Sequence, residues 1–115
     1  MGVIFKRYLD VAPAHSGRIF GCLDCKTHFS TSNDILSKAF QGQYGKAYLF
    51  NTVINVAEGV AIDRHMTTGV HTVCDIRCVA CNAVVGWKYL TAWEPCEKYK
   101  EGRYILERNC IVEVP

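Results

Sequence analysis

No stretch of this 115-residue chain approaches the roughly 18 consecutive apolar residues of a membrane-spanning helix. The start, Met1-Gly-Val-Ile-Phe-Lys-Arg, lacks the apolar run of a secretory signal. Both absences predict a chain that works inside the cell and not in a membrane. Pro-rich linkers, low-complexity tracts and long repeats are also missing, and only three prolines occur. Nothing therefore marks a domain boundary, and residues 1–115 read as one domain. Half of the residues are hydrophobic by a broad count, which is ample for one core.

Helical signals are sparse. Ser32 to Lys38 offers cap residues and about one turn. Glu97 to Gly102 reads as another short helical piece ending on a glycine. The rest alternates in the manner of β-strands. Candidates are Val3–Leu9, Arg18–Gly21, Lys46–Val56, Val70–Arg77, Val84–Tyr89, Tyr104–Leu106 and Ile111–Val114, with Gly42, Gly45, Gly59 and Gly69 as turns. The expectation is a mainly β domain.

Cysteine is what the chain has in quantity. There are seven, an odd number, which argues for a reducing compartment and against a disulfide scaffold. Four form two Cys-x-x-Cys pairs, Cys22-Leu-Asp-Cys25 and Cys78-Val-Ala-Cys81, separated by 52 residues. Each pair can grip one side of a tetrahedral ion, so Cys22, Cys25, Cys78 and Cys81 are the expected ligands of one structural Zn2+. The long separation means that the metal joins two remote parts of the domain. A redox role for the pairs calls for a following helix, which neither has. Catalytic zinc needs an open coordination position that four thiolates deny, and iron fits the same tetrathiolate geometry. Asn82 after the second pair tolerates a left-handed backbone, whereas Lys26 after the first has no such advantage. Lys26, Arg77 and Lys88 are basic neighbours for a dianionic centre. Cys74, Cys96 and Cys110 read as small buried hydrophobes, and His28 as a polar residue outside the ligand set.

Charge is also in short supply. The formal net charge is +2, and the −4 of four thiolates with the +2 of zinc cancels it. Lys98, Lys100, Arg103 and Arg108 interleave with Glu97, Glu101 and Glu107, the mark of a solvated face. Nucleic-acid binding is thus a secondary expectation. His65 and His71 have no nucleophile tied to them by spacing, so no catalytic group is assigned and the chain is expected not to be an enzyme.

The cysteine pairs belong to a wider set of intervals. Gly45, Leu49, Asn55 and Gly69 precede the second pair, Gly86-Trp87-Lys88-Tyr89 follows it, and Lys100 and Glu107 close the series. With AYLFN, GVHTV and YKEGRYILE, these residues make the chain resemble the Yippee family over nearly its whole length. The resemblance implies a β-tent, two antiparallel sheets pinned at the apex by a four-cysteine zinc site, shared with the cereblon ligand-binding domain, methionine sulfoxide reductase B and Mis18. It implies a nuclear or cytoplasmic protein linked to cell division and growth control, with a protein partner such as a ubiquitin-ligase assembly. It also implies a cereblon-like groove: Trp87 and Tyr89 match two aromatic cage positions, with Tyr48, Phe50 and His71 as further lining. The remaining cage tryptophans would fall near Met66 and near Thr72 or Val73, where this chain has none, so the pocket implied is looser than a full cage. A sulfoxide-reductase activity on the same architecture would need one of Cys74, Cys96 or Cys110 as nucleophile.

Overall fold

The computed structural model describes residues 17–115; the strand expected at Val3–Leu9 lies outside them. The described residues form two antiparallel sheets. The smaller contains β1 (Ile19–Cys22), β2 (His28–Thr31) and β10 (Ile111–Val114) in the order β10-β1-β2. The larger contains β3 (Ile35–Gly42), β4 (Gly45–Phe50), β5 (Val56–Glu58), β6 (Ile62–Met66), β7 (Gly69–Cys78), β8 (Val84–Ala92) and β9 (Tyr104–Glu107). Its order is β3-β4-β9-β8-β7-β5, with β6 also paired to β7. Short 3-10 turns cover Ser32–Asp34, Pro95–Lys100 and Arg108–Cys110. No helix among the described residues is long and apolar enough to cross a membrane.

Side chains alternate across a strand, and register decides which face each one joins. Leu49 pairs with Ile105, and Ile105 pairs in turn with Trp87, so all three share a face. Tyr48 pairs with Leu106 on the opposite face. That second face carries Phe50, Ile76, Val85 and Leu106, which pack against Phe20, Phe29 and Ile111 of the small sheet. The Phe20 and Phe50 rings meet edge to face at 6.2 Å and 74°. Each such side chain contributes about 1.5–3 kcal/mol when fully buried. The first face carries Ala47, Leu49, Val73, Trp87, Tyr89 and Ile105, with Phe40 and Met66 against them. The large sheet thus has one face committed to the small sheet and another that forms a separate apolar floor.

Several elements depart from the sequence expectation. The strand expected over Lys46–Val56 breaks after Phe50, where Asn51 N–H donates to the Asp34 carbonyl at 2.9 Å. Asn55 then takes a left-handed conformation at φ 61°. The helical turn over Ser32–Lys38 stops at Asp34 and continues as β3, because Ile35–Gly42 completes a hairpin with β4. Gly42 and Gly45 pair across its two-residue tip, and Gly45 supplies the φ of 118° that the tip needs. Strands β2 and β6 were not expected either; β6, Ile-Asp-Arg-His-Met, is largely exposed and is defined by its pairing with β7.

Candidate functional site

The two Cys-x-x-Cys segments fold into near-copies of one turn. In the first, Lys26 N–H donates to the Cys22 carbonyl at 2.8 Å and Cys22 N–H to the Thr27 carbonyl at 2.9 Å. In the second, Asn82 N–H donates to Cys78 and Cys78 N–H to Ala83, both at 2.9 Å. The residue after each second cysteine is left-handed: Lys26 at φ 65° and Asn82 at φ 66°. Lys26 therefore adopts the conformation that its side chain does not favour, at about 1–2 kcal/mol. Lys26→Asn is expected to recover part of this, about 0.5–1 kcal/mol, raising the thermal midpoint by several degrees with zinc content unchanged. Differential scanning calorimetry would show it, and an unchanged or lower midpoint would contradict it.

Cys22 ends β1 on the small sheet and Cys78 ends β7 on the large one. The fold brings these two strand ends together, and all four Sγ atoms lie within 4.8 Å of one another. Cys22 Sγ is 3.5 Å from Cys81 Sγ, and Cys25 Sγ is 3.5 Å from Cys78 Sγ. Zinc–sulfur bonds of about 2.3 Å place tetrahedral sulfurs about 3.8 Å apart, so the cluster has the right dimensions for one ion. Four sulfurs also complete a tetrahedral shell, leaving no position for a reactive water. Burial pushes the Cys22 thiol up to about 12, with backbone N–H groups opposing it. Burial also acts upward on Cys25, but hydrogen bonds from the Thr27 hydroxyl, 3.1 Å away, and the Thr27 backbone bring it down to about 6. His28 lies outside the cluster. Arg77 caps the second turn by donating to the Asn82 carbonyl at 3.3 Å, while Lys88 pairs instead with Glu58 at 3.1 Å.

On the other face of the large sheet is a trough of about 990 Å³. β3 forms one wall and the β6–β7 hairpin the other, with the Pro95–Lys100 turn contributing Glu97, Tyr99 and Lys100. Trp87 and Tyr89 form part of its floor, their rings 6.2 Å apart at 79°. Met66 lines it too, and Val73 packs beneath in the same cluster. The other expected lining residues sit elsewhere. Tyr48 and Phe50 face the small sheet by strand parity. His71 is fully buried, with Nδ1 3.1 Å from the Gly69 carbonyl and its ring 5.2 Å from Tyr89.

The trough's aromatic faces are covered by the chain's own cations. The Arg64 guanidinium lies 5.7 Å from the Trp87 ring centre. The Lys100 ammonium lies 5.2 Å from Phe40, 5.4 Å from Tyr89 and 5.8 Å from Tyr99. Lys100 is only 2% exposed, and its charge is compensated by Glu97 at 2.8 Å and by the Thr68 hydroxyl at 3.3 Å. Glu107 is buried as well and accepts the Tyr44 N–H at 2.8 Å. The interleaved charge run is therefore not one solvated face: two of its members are interior groups. Phe40, Arg64 and the cage role of Lys100 escaped the sequence reading, although Lys100 and Glu107 both stood at fixed intervals from the Gly-Trp-Lys-Tyr segment.

The remaining cysteines divide. Cys74 is buried, its thiol pushed up by burial and by Glu58; Cys110 is half-buried and pushed up by burial and by Glu107. Cys96 is exposed, against the expectation of a small buried hydrophobe. Trp93 is 59% exposed, with its indole N–H 3.4 Å from the Thr72 hydroxyl.

Comparison with known proteins gives one consistent result. The Yippee–Mis18 family model, described as Yippee zinc-binding/DNA-binding/Mis18, centromere assembly, matches residues 18–114. A yippee-like protein of Arabidopsis thaliana is 47% identical over 103 residues, covering 90% of this chain and 97% of that protein. Human protein yippee-like 3 is 46% identical over 109 residues, covering 95% and 88%. Among solved structures, the crystal structure of the Mis18 "Yippee-like" domain superposes with a TM-score of 0.68. It covers 87% of this chain and 97% of that one, and at 14% identity it speaks to the fold alone.

Proposed function

The chain belongs to the Yippee family, and from that premise we propose that it is a zinc-stabilised, non-catalytic interaction module forming a single domain. Cys22, Cys25, Cys78 and Cys81 hold one structural Zn2+ that ties the two sheets at their apex. The observation that carries this reading is the spacing of the four sulfurs, within 4.8 Å of one another from two different sheets. Zinc supplies the cross-link, and the remaining surface supplies recognition. The trough floored by Trp87 and Tyr89 takes a protein partner, in the nucleus or cytoplasm, with a ubiquitin-ligase assembly as the class that the resemblance implies.

Two alternatives receive less support. A sulfoxide-reductase-like enzyme needs an activated thiol: Cys74 and Cys110 are both shifted away from the thiolate, and the exposed Cys96 has the Glu97 carboxylate 3.9 Å from its sulfur in place of an activating cation. A nucleic-acid binder needs free surface cations. Lys100 is interior, Lys98 pairs with Glu101 at 3.2 Å, and Arg103 donates to Asn51 at 3.2 Å.

Native mass spectrometry of the folded protein is expected to show one zinc per chain, released on unfolding. For the trough, the test is quantitative affinity capture from cells with rim variants Arg64→Glu and Tyr99→Ser, against Trp93→Ser outside it. The rim variants are expected to lose a shared partner at least about tenfold, equivalent to about 1.4 kcal/mol, while Trp93→Ser retains it. Identical partner sets for all three at equal zinc content would remove the trough from the reading.

A further inference from the structure

The two cysteine pairs sit on different sheets, so something must hold those sheets at the separation a single ion requires. Residues 51–58 run between them. On the small sheet, the Ser30 hydroxyl donates to the Thr52 carbonyl at 2.7 Å, and Ile54 N–H donates to the Phe29 carbonyl at 2.8 Å. On the large sheet, Val56 pairs with Cys78 and Glu58 with Ile76. The crossover between these two sets falls at Asn55. Its side-chain Nδ2 donates to the His28 carbonyl at 2.7 Å, three residues after Cys25. Its backbone carbonyl accepts Val79 N–H at 3.0 Å, inside the Cys78–Cys81 turn. One residue thus links the edge of the first cysteine turn to the interior of the second.

The residue type fits the task. Asn55 stands at φ 61°, a conformation that asparagine tolerates better than most residues with a Cβ. It is also 9% exposed, so its amide is tied down in the interior and not lost to solvent. Zinc–sulfur distances are restricted to within about 0.2 Å, and drift of one sulfur pair relative to the other weakens the ligation.

We propose that Asn55 is a positioning residue of the metal centre. It fixes the gap between the two cysteine turns in the folded domain, so that the two sulfur pairs keep the separation one ion requires and the bound ion is retained. The inference rests on the zinc reading of the four cysteines and adds a non-ligand residue to that centre. The strap around Asn55 also joins the sheets independently of sulfur, which makes the apex a double fastening.

The test measures zinc release to an excess of a chromophoric chelator, and the visible d–d spectrum of the Co2+-substituted protein. Asn55→Gly keeps the left-handed backbone and removes the amide. Asn55→Asp keeps the shape and turns a donor into an acceptor that faces the His28 carbonyl. Both are expected to release zinc about tenfold faster than the native chain, the lower end of what outer-shell partners contribute, and to broaden or shift the cobalt bands. Leu49→Ala, buried on the far face of the large sheet, is the stability control and is expected to stay within about twofold of native release with an unchanged cobalt spectrum. Native release rates and native cobalt bands in both Asn55 variants would overturn the proposal, as would equal acceleration in Leu49→Ala. A native protein that takes up neither metal would overturn the zinc reading itself, and the role of Asn55 with it.

Discussion

Complete removal of zinc is expected to convert this protein from a folded domain into an unfolded or molten one. Structural zinc contributes about 10–16 kcal/mol in small peptides at neutral pH, whereas a whole domain is typically stable by only about 5–15 kcal/mol. Closing the loop between the cysteine pairs, by analogy with a disulfide, accounts for roughly 4 kcal/mol of unfolded-state entropy. The architecture makes the dependence sharper. The small sheet has three strands of four residues each, β1, β2 and β10. Strands this short bury their apolar face by packing Phe20, Phe29 and Ile111 against the large sheet. An ion held by the four cysteines would keep one end of that packing shut. After chelation, near-ultraviolet circular dichroism should collapse while some far-ultraviolet β signal persists, and a hydrophobic dye should bind. Cys78→Ser with Cys81→Ser should give the same state without a chelator. A cooperative thermal transition retained within a few degrees of the native midpoint, at verified zero zinc, would refute the expectation.

The same residues show what could be read without coordinates. The clustering of the four cysteines was legible because Cys-x-x-Cys is a local signal whose chemistry depends little on context. Strands β7, β8, β9 and β10 were legible for a similar reason: their alternating or β-branched runs are committed to burial on one or both faces. By contrast, β3 and β6 carry polar residues such as Lys38, Asp63 and Arg64, and they become strands through pairing with β4 and β7. Such long-range pairing leaves little trace in composition. The lining of the trough shows a subtler limit. Period-two alternation puts Tyr48 and Phe50 together, and Trp87 and Tyr89 together. Whether the two pairs share a face depends on the β4–β9 and β9–β8 registers. Lys100 is the extreme case, since its burial requires Phe40, sixty residues earlier in the chain, to lie beside it. A charged residue among glutamates looks solvated until that partner is placed.

Gly86→Ala is expected to be among the most damaging single substitutions in the chain, although it adds one methyl group. Gly86 is in the middle of the large sheet, on β8 opposite Leu106 of β9. A Cβ built there would lie 1.8 Å from the Ile105 carbonyl oxygen, 2.8 Å from its carbon and 3.2 Å from the Leu106 Cα. All three are backbone atoms, so no rotamer change relieves the contact. Gly86 is not among the glycines with a left-handed φ; the requirement is for proximity of two chains, not for an unusual turn. Accommodating the methyl means separating β8 from β9 by more than an ångström, which breaks the ladder between them. The flanking residues raise the penalty, because Val85 belongs to the core under the small sheet and Trp87 to the floor of the trough. Ordinary overpacking costs about 1–3 kcal/mol, and a backbone clash at a central strand pair should exceed it, at about 4 kcal/mol or more. For a domain of this size that corresponds to a midpoint lower by roughly 15 °C or more. Gly102→Ala separates the two reasons a glycine is needed: its Cβ would meet nothing within 4 Å, and only the φ of 78° opposes it. That variant should lose about 1–2 kcal/mol. If Gly86→Ala melted within a few degrees of the native protein, or no lower than Gly102→Ala, the close approach of β8 and β9 at this point would have to be abandoned. With it would go the reason for a glycine immediately before Trp87.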